Sequence, residues 1–185
     1  SGNFLNNISN YDSTAAIYNT GTITGNITGT FTNNTGYAIF NSGILNNISG
    51  DFNKNEIGVY INYASEANSI SGNFIENEIA IGTWWSTKIN NITGHFENNG
   101  TAIDYSSEYG TDTISGDFIN NSNSAIIYTT EFGTGNIENI KGNFIGNHST
   151  NSGGALYTGY GAYIKNLSSD FKDNYVSSSS NSVSG

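Results

Sequence analysis

The sequence predicts an all-β protein, a single-domain parallel β-helix of about eight coils with about 22 residues in each. Three observations lead there. Phe followed three residues later by Asn recurs at Phe4/Asn7, Phe31/Asn34, Phe52/Asn55, Phe74/Asn77, Phe96/Asn99, Phe118/Asn121, Phe144/Asn147 and Phe171/Asn174. The steps between successive Phe residues are 27, 21, 22, 22, 22, 26 and 27 residues. Around each Phe, apolar residues and Gly alternate with Asn, Ser, Thr, Asp, His and Lys at a period of two, which is strand and not helix.

The first strand of each coil is Ile-x-Gly-x-Phe, with Ile27, Ile48, Ile70, Ile92, Ile114, Ile140 and Leu167 at its start and Gly two residues before Phe in seven of eight copies. Ser169 takes that place in the last copy. A second strand follows each Phe-x-x-Asn: Ala16-Ile17, Ala38-Ile39, Gly58-Val59, Ala80-Ile81, Ala102-Ile103, Ala125-Ile126 and Ala155-Leu156. A third, weaker segment reads Thr22-Ile23, Ile44-Leu45, Lys88-Ile89, Asn136-Ile137 and Tyr163-Ile164. Three short strands per coil, each paired with its counterpart one repeat on, predict three parallel sheets and a rod roughly 35–40 Å long. Right-handed coiling is expected because parallel crossovers overwhelmingly take that hand. Residues 1–176 form the β-helix, and 177–185 a polar, Ser-rich tail. The Phe column is expected to stack in the core. The eight Asn residues are expected to form an internal ladder at a turn, amide bonded to amide.

Composition narrows the function. The net charge is −10 with only five Lys and no Arg, so a phosphate backbone or an anionic membrane surface is repelled. No apolar run reaches the length of a membrane span, so no direct membrane insertion is expected. There is no Cys, hence no disulfide and no thiolate metal site, and no cofactor is expected. The absence of Met implies a processed chain or a piece of a longer one. No residue in either end coil protects its open edge: there is no Pro and no inward charge, and no capping helix is recognisable.

The motifs resemble a known family. Gly142-Asn143-Phe144-Ile145-Gly146-Asn147 followed by Gly153-Gly154-Ala155-Leu156 resembles the repeats of chlamydial polymorphic outer-membrane proteins and similar autotransporter passenger domains. Adhesin-like surface proteins of some methanogenic archaea look similar. The resemblance extends over nearly the whole chain and implies surface display, without naming a ligand.

The candidate contact surface is aromatic. Trp84-Trp85 places two indoles in succession, and neighbours on a strand point to opposite faces, so at least one is expected outside the core. Tyr157, Tyr160 and Tyr163 make a second such group. Tyr18, Phe40, Tyr60 and Tyr157 follow the second-strand aliphatic directly, Tyr105 and Tyr128 one residue later, and these read as a ladder shielding a corner. The polar column Asn3, Thr30, Asp51, Asn73, His95, Asp117, Asn143, Asp170 disperses its carboxylates and does not gather a metal site. The leading reading is therefore an extracellular, non-enzymatic β-solenoid, a surface adhesin or structural element. Its partners would be a glycan, a host or cell-surface protein, neighbouring coils of a longer chain, or other copies stacked head to tail into a filament. The alternative is a polysaccharide-active β-helix enzyme with an acid/base pair such as Asp104/Glu108 or Glu76/Glu78.

Overall fold

A computed structural model of the chain describes residues 1–8, 14–131 and 133–177. Phe132 and all of the Ser-rich tail beyond Ser177 lie outside the described residues. The described chain contains strands and turns and no helix.

Parallel pairing at the repeat step builds one long ladder from the Phe strands Gly2–Leu5, Ile27–Thr32, Ile44–Asn53, Glu66–Ile75, Lys88–Glu97, Thr111–Ile119, Gly135–Ile145 and Ala162–Lys172. A second ladder joins Ala15–Asn19, Tyr37–Asn41, Ile57–Ile61, Ile79–Thr83, Thr101–Ser106, Ile126–Thr129 and Leu156–Thr158. The register is the sequence repeat itself: Gly72 faces Gly94, Phe74 faces Phe96, and Ile81 faces Ile103. The predicted β-solenoid is thus the fold.

The third segment departs from expectation. It does not form a sheet of its own, but runs on into the Phe strand from Ile44, Glu66, Lys88, Thr111, Gly135 and Ala162 onward. Buried residues in these strands are three apart before they are two or four apart, as in Leu45, Ile48, Phe52 and Ile89, Ile92, Phe96. A step of three breaks the period of two, so the strand bends there and turns its next residues inward without losing the ladder. The pairing skips the bend residues: Ile89↔Ala67 is followed by Asn91↔Ser69, passing over Asn90 and Asn68.

Phe side chains form one continuous stack from Phe4 to Phe171, with adjacent centroids 4.6–4.9 Å apart and ring planes within 12°. The rung spacing of a parallel sheet, about 4.8 Å, sets that distance. The six inner rings, Phe31, Phe52, Phe74, Phe96, Phe118 and Phe144, are wholly buried. At Gly72 and Gly116, a Cβ would fall on the carbonyl oxygen of the glycine one rung earlier, and φ is +140° and +146°. At these inner rungs Gly therefore lets adjacent backbones approach where a side chain would clash.

Each Phe-x-x-Asn closes a corner through its third residue, which takes positive φ in all eight copies: Asn6, Asn33, Lys54, Glu76, Asn98, Asn120, Gly146 and Asp173. The following Asn turns inward. Asn34, Asn55, Asn77, Asn99, Asn121 and Asn147 are all buried, so none of them offers a group to a ligand at the surface. The expected bonding of amide to amide is only part of what holds them, because backbone groups join at every rung. Asn55 Oδ1 accepts from the backbone N–H of Asn34 at 3.1 Å and from Asn34 Nδ2 at 2.7 Å. Asn34 Nδ2 also donates to Phe4 O at 3.1 Å, and Asn55 Nδ2 to Phe31 O at 3.0 Å. Asn99, in the middle of the rod, repeats the pattern: its Oδ1 accepts from the backbone N–H of Asn77 at 2.9 Å and from Asn77 Nδ2 at 3.0 Å. Its own Nδ2 donates to Phe74 O at 2.9 Å and Asn121 Oδ1 at 3.0 Å. Both amide hydrogens and both lone pairs are used, which is how a fully buried amide is tolerated. The sequence reading missed the backbone share because the carbonyl that each amide meets belongs to the Phe of the preceding coil. The ladder links Asn7 through Asn174.

Candidate contact surface

The Trp pair leaves the end of the Ile79–Thr83 strand, where the backbone turns. Trp84 is 49% exposed and its Nε1 lies 3.5 Å from Glu131 Oε1, two coils along. Trp85, half-buried with φ at 23°, donates from Nε1 to Glu108 Oε1 at 3.2 Å. Its ring lies 4.9 Å from that of Tyr63, inclined at 46°. Tyr63 and Tyr109 are also exposed. The structure thus gathers two indoles, two phenols and two carboxylates along one corner. The sequence reading picked out the tryptophans and not their partners, which are about one and two repeats away and carry no local motif.

The second aromatic group is spread out. Tyr157 lies on the second ladder, Tyr160 in the turn after it and Tyr163 on the last Phe strand, all exposed. Tyr18, Phe40 and Tyr60 do stack on the outside of the second ladder, with centroids 4.9 and 5.7 Å apart, so their faces are occupied by one another. Tyr105 and Tyr128 do not join that corner. They stand two residues after the inward Ile103 and Ile126 and point into the core, wholly buried. Tyr105 donates to Gly110 O at 2.5 Å, whereas the Tyr128 hydroxyl has no partner among the described residues. A second buried asparagine pair, Asn19 Nδ2 to Asn41 Oδ1 at 2.7 Å, was also not anticipated. Its signal is Asn-x-Gly, since Gly21 and Gly43 backbone groups bond to these amides.

The titratable groups are dispersed. Asp51 and Asp117 accept from Asn73 at 2.8 Å and Asn143 at 2.7 Å in the outer column. His95 Nε2 lies 3.0 Å from Glu97 Oε2. His148 stacks on Tyr175. Of the acid/base pairs considered, Glu76 faces Lys54 at 3.5 Å and Glu108 faces the Trp85 indole. Asp104, one rung beyond Gly82 on the column of Tyr60, is pushed above the usual carboxylate range by burial. Burial, with Tyr37 and Asp104 nearby, raises Tyr60 to about 12. Among the described residues no three His, Cys, Asp or Glu converge as metal ligands, and no helix is long and apolar enough to cross a membrane.

No protein-family model matches this chain, and no curated protein or solved structure matches it either. The repeat and the ladders it builds carry the structural assignment by themselves.

Proposed function

We propose that this chain is a non-enzymatic β-solenoid of the cell exterior, an adhesin or structural element that works by contact, with the Trp84/Trp85 corner as its contact surface. The observation that carries this reading is the placement of the indoles. The Phe and Asn ladders complete each rung, yet two of the largest side chains stand at the corner beside Glu108, Glu131, Tyr63 and Tyr109. Exposed aromatic clusters of this kind suit recognition of a partner surface. The acidic charge and the abundance of Asn, Ser, Thr and Gly accord with a place outside the cell. The test is binding of the purified chain to glycans and to intact cells, compared with Trp84→Ala/Trp85→Ala. Loss of binding with unchanged thermal unfolding supports the reading. Release of products from a polysaccharide by the wild-type chain overturns it in favour of the enzyme.

A second reading, end-to-end stacking of copies, is favoured by the polarity of the asparagine ladder. Among the described residues nothing donates to Asn7 Oδ1, while Asn174 has its backbone N–H and one Nδ2 hydrogen without an acceptor. In every inner rung these are the groups that bond to each other. Phe171 is 47% exposed and Leu167, Tyr175 and Val176 are exposed beside it. Both ladders would be continued by neighbouring coils of a longer chain or by a second copy placed head to tail, and the latter is a heterologous contact that propagates. Sedimentation and negative-stain microscopy test it: rods that lengthen with concentration and shorten in Asn174→Asp support stacking, and a strict monomer refutes it.

A further inference from the structure

The face formed by the third segments holds two adjoining concavities, of about 470 and 420 Å³, which share Glu66 and Lys88. Their form follows from strand geometry. Leu45, Ala67 and Ile89 point inward and are buried, so the residues on either side of each point out and leave a trough along the rod. One wall is the column Ile44, Glu66, Lys88, in parallel register. The other is Asn46, Asn68 and Asn90, the bend residues, repeating at the rung spacing of about 4.8 Å.

The chemistry of the trough is that of a polyhydroxyl ligand. Asn90 Nδ2 donates to Asn68 Oδ1 at 3.0 Å, and Asn68 Nδ2 to Asn47 Oδ1 at 2.8 Å. Asn68 and Asn90 each keep one N–H and a lone pair for a ligand, so each both donates and accepts. Glu66 and Lys88 are register neighbours, and neither is in an ion pair among the described residues. The second concavity ends at Tyr109, 66% exposed, whose backbone is fixed by Ser107 Oγ at 3.2 Å, itself bonded to Thr87 O. Ala64 and Ser86, which line it, directly follow Tyr63 and Trp85, so the trough opens at the aromatic corner. A net charge of −10, with Lys88 the only cation lining either concavity, disfavours a polyanion.

We infer that this trough is the binding site for a neutral, linear oligosaccharide, lying across successive rungs with hydroxyls on the Asn68 and Asn90 amides and one sugar against Tyr109. The assignment rests on the contact-surface reading and names its ligand. The test titrates the purified chain with cellohexaose, chitohexaose, maltohexaose and mannohexaose, with polygalacturonate as the anionic control, by calorimetry and tryptophan fluorescence. At least one neutral hexasaccharide should bind, and both Asn68→Ala/Asn90→Ala and Tyr109→Ala should weaken it about tenfold or more with unchanged thermal unfolding. Binding confined to polygalacturonate, or no binding by any of the four at millimolar concentration, overturns the inference. Sugar binding lost in Trp84→Ala/Trp85→Ala but untouched by the trough variants also overturns it, while leaving the contact surface standing. Cell binding that persists without any sugar binding has the same meaning.

Discussion

Replacing Asn99 by Leu tests whether the asparagine ladder holds the coils together. Asn99 is wholly buried, and Leu keeps its branched shape but needs more room than the tightly bonded amide, so overpacking adds to the lost hydrogen bonding. Two groups lose their partner, the Asn77 backbone N–H and one Asn77 Nδ2 hydrogen, whereas the Phe74 carbonyl loses the amide but keeps its bond in the parallel ladder. Asn121 Oδ1 is still met by the backbone N–H of residue 99. At about 1–3 kcal/mol per stranded buried group, the gross loss is about 2–6 kcal/mol. Overpacking adds about 1–3 kcal/mol and burying an apolar side chain returns about 1.5–3 kcal/mol, so the expected net cost is about 4 kcal/mol. The same substitution at Asn77 strands two groups one rung earlier, the Asn55 backbone N–H and one Asn55 Nδ2 hydrogen. The Asn77 side chain is itself lost in the double variant, and with it the Nδ2 hydrogen that Asn99→Leu alone would strand. Asn77→Leu/Asn99→Leu thus strands three groups in place of four, and should fall short of additivity by about 1–3 kcal/mol. Urea unfolding followed by far-ultraviolet circular dichroism gives the totals, and native-state hydrogen exchange shows whether the damage centres on that rung. A single-variant cost below about 1 kcal/mol, or a double variant at or above the sum, would refute the ladder argument.

Phe96→Ala, in the middle of the ring stack, should cost about 3–5 kcal/mol by urea unfolding. Tyr128→Phe removes a hydroxyl with no partner among the described residues and should stabilise by about 1 kcal/mol, whereas Tyr105→Phe loses the bond to Gly110 and should destabilise by a similar amount. Glu76→Asn places a residue that tolerates the left-handed region where φ is 56°, and should raise the melting temperature, with a gain of about 1 kcal/mol. Asp104 has a folded-state pKa above its unfolded value, so its contribution is intact below the unfolded pKa and lost as pH rises through the folded one. Asp104→Asn should therefore stabilise at about pH 7 and have little effect at about pH 3, as read by melting temperature at the two pH values.

The sequence alone determined the repeat, the parallel register and which residues form the inner column, because every coil restates the same Ile-x-Gly-x-Phe-x-x-Asn and a parallel stack pairs like with like. Strand phase and turn chemistry are local, so Phe96 and the ladder positions Asn34, Asn55 and Asn99 were legible at once. The backbone carbonyls and N–H groups that complete the bonding of those amides were not, since they come from the preceding coil. The tertiary structure decided what depends on the path of the backbone between motifs. The bend at Asn68 and Asn90 merges the third segment into the Phe strand, and an apolar step of three is too short a signal to separate that from a break. Tyr105 and Tyr128 went inward because they share a strand face with Ile103 and Ile126, a period-two relation outweighed in the sequence reading by their nearness to the outer aromatic column. The surroundings of Trp84 and Trp85 were invisible for a different reason. Glu108 and Glu131 reach them only because coiling brings residues about one and two repeats apart onto one corner, and long-range proximity of that kind is a property of the coil and not of any segment within it.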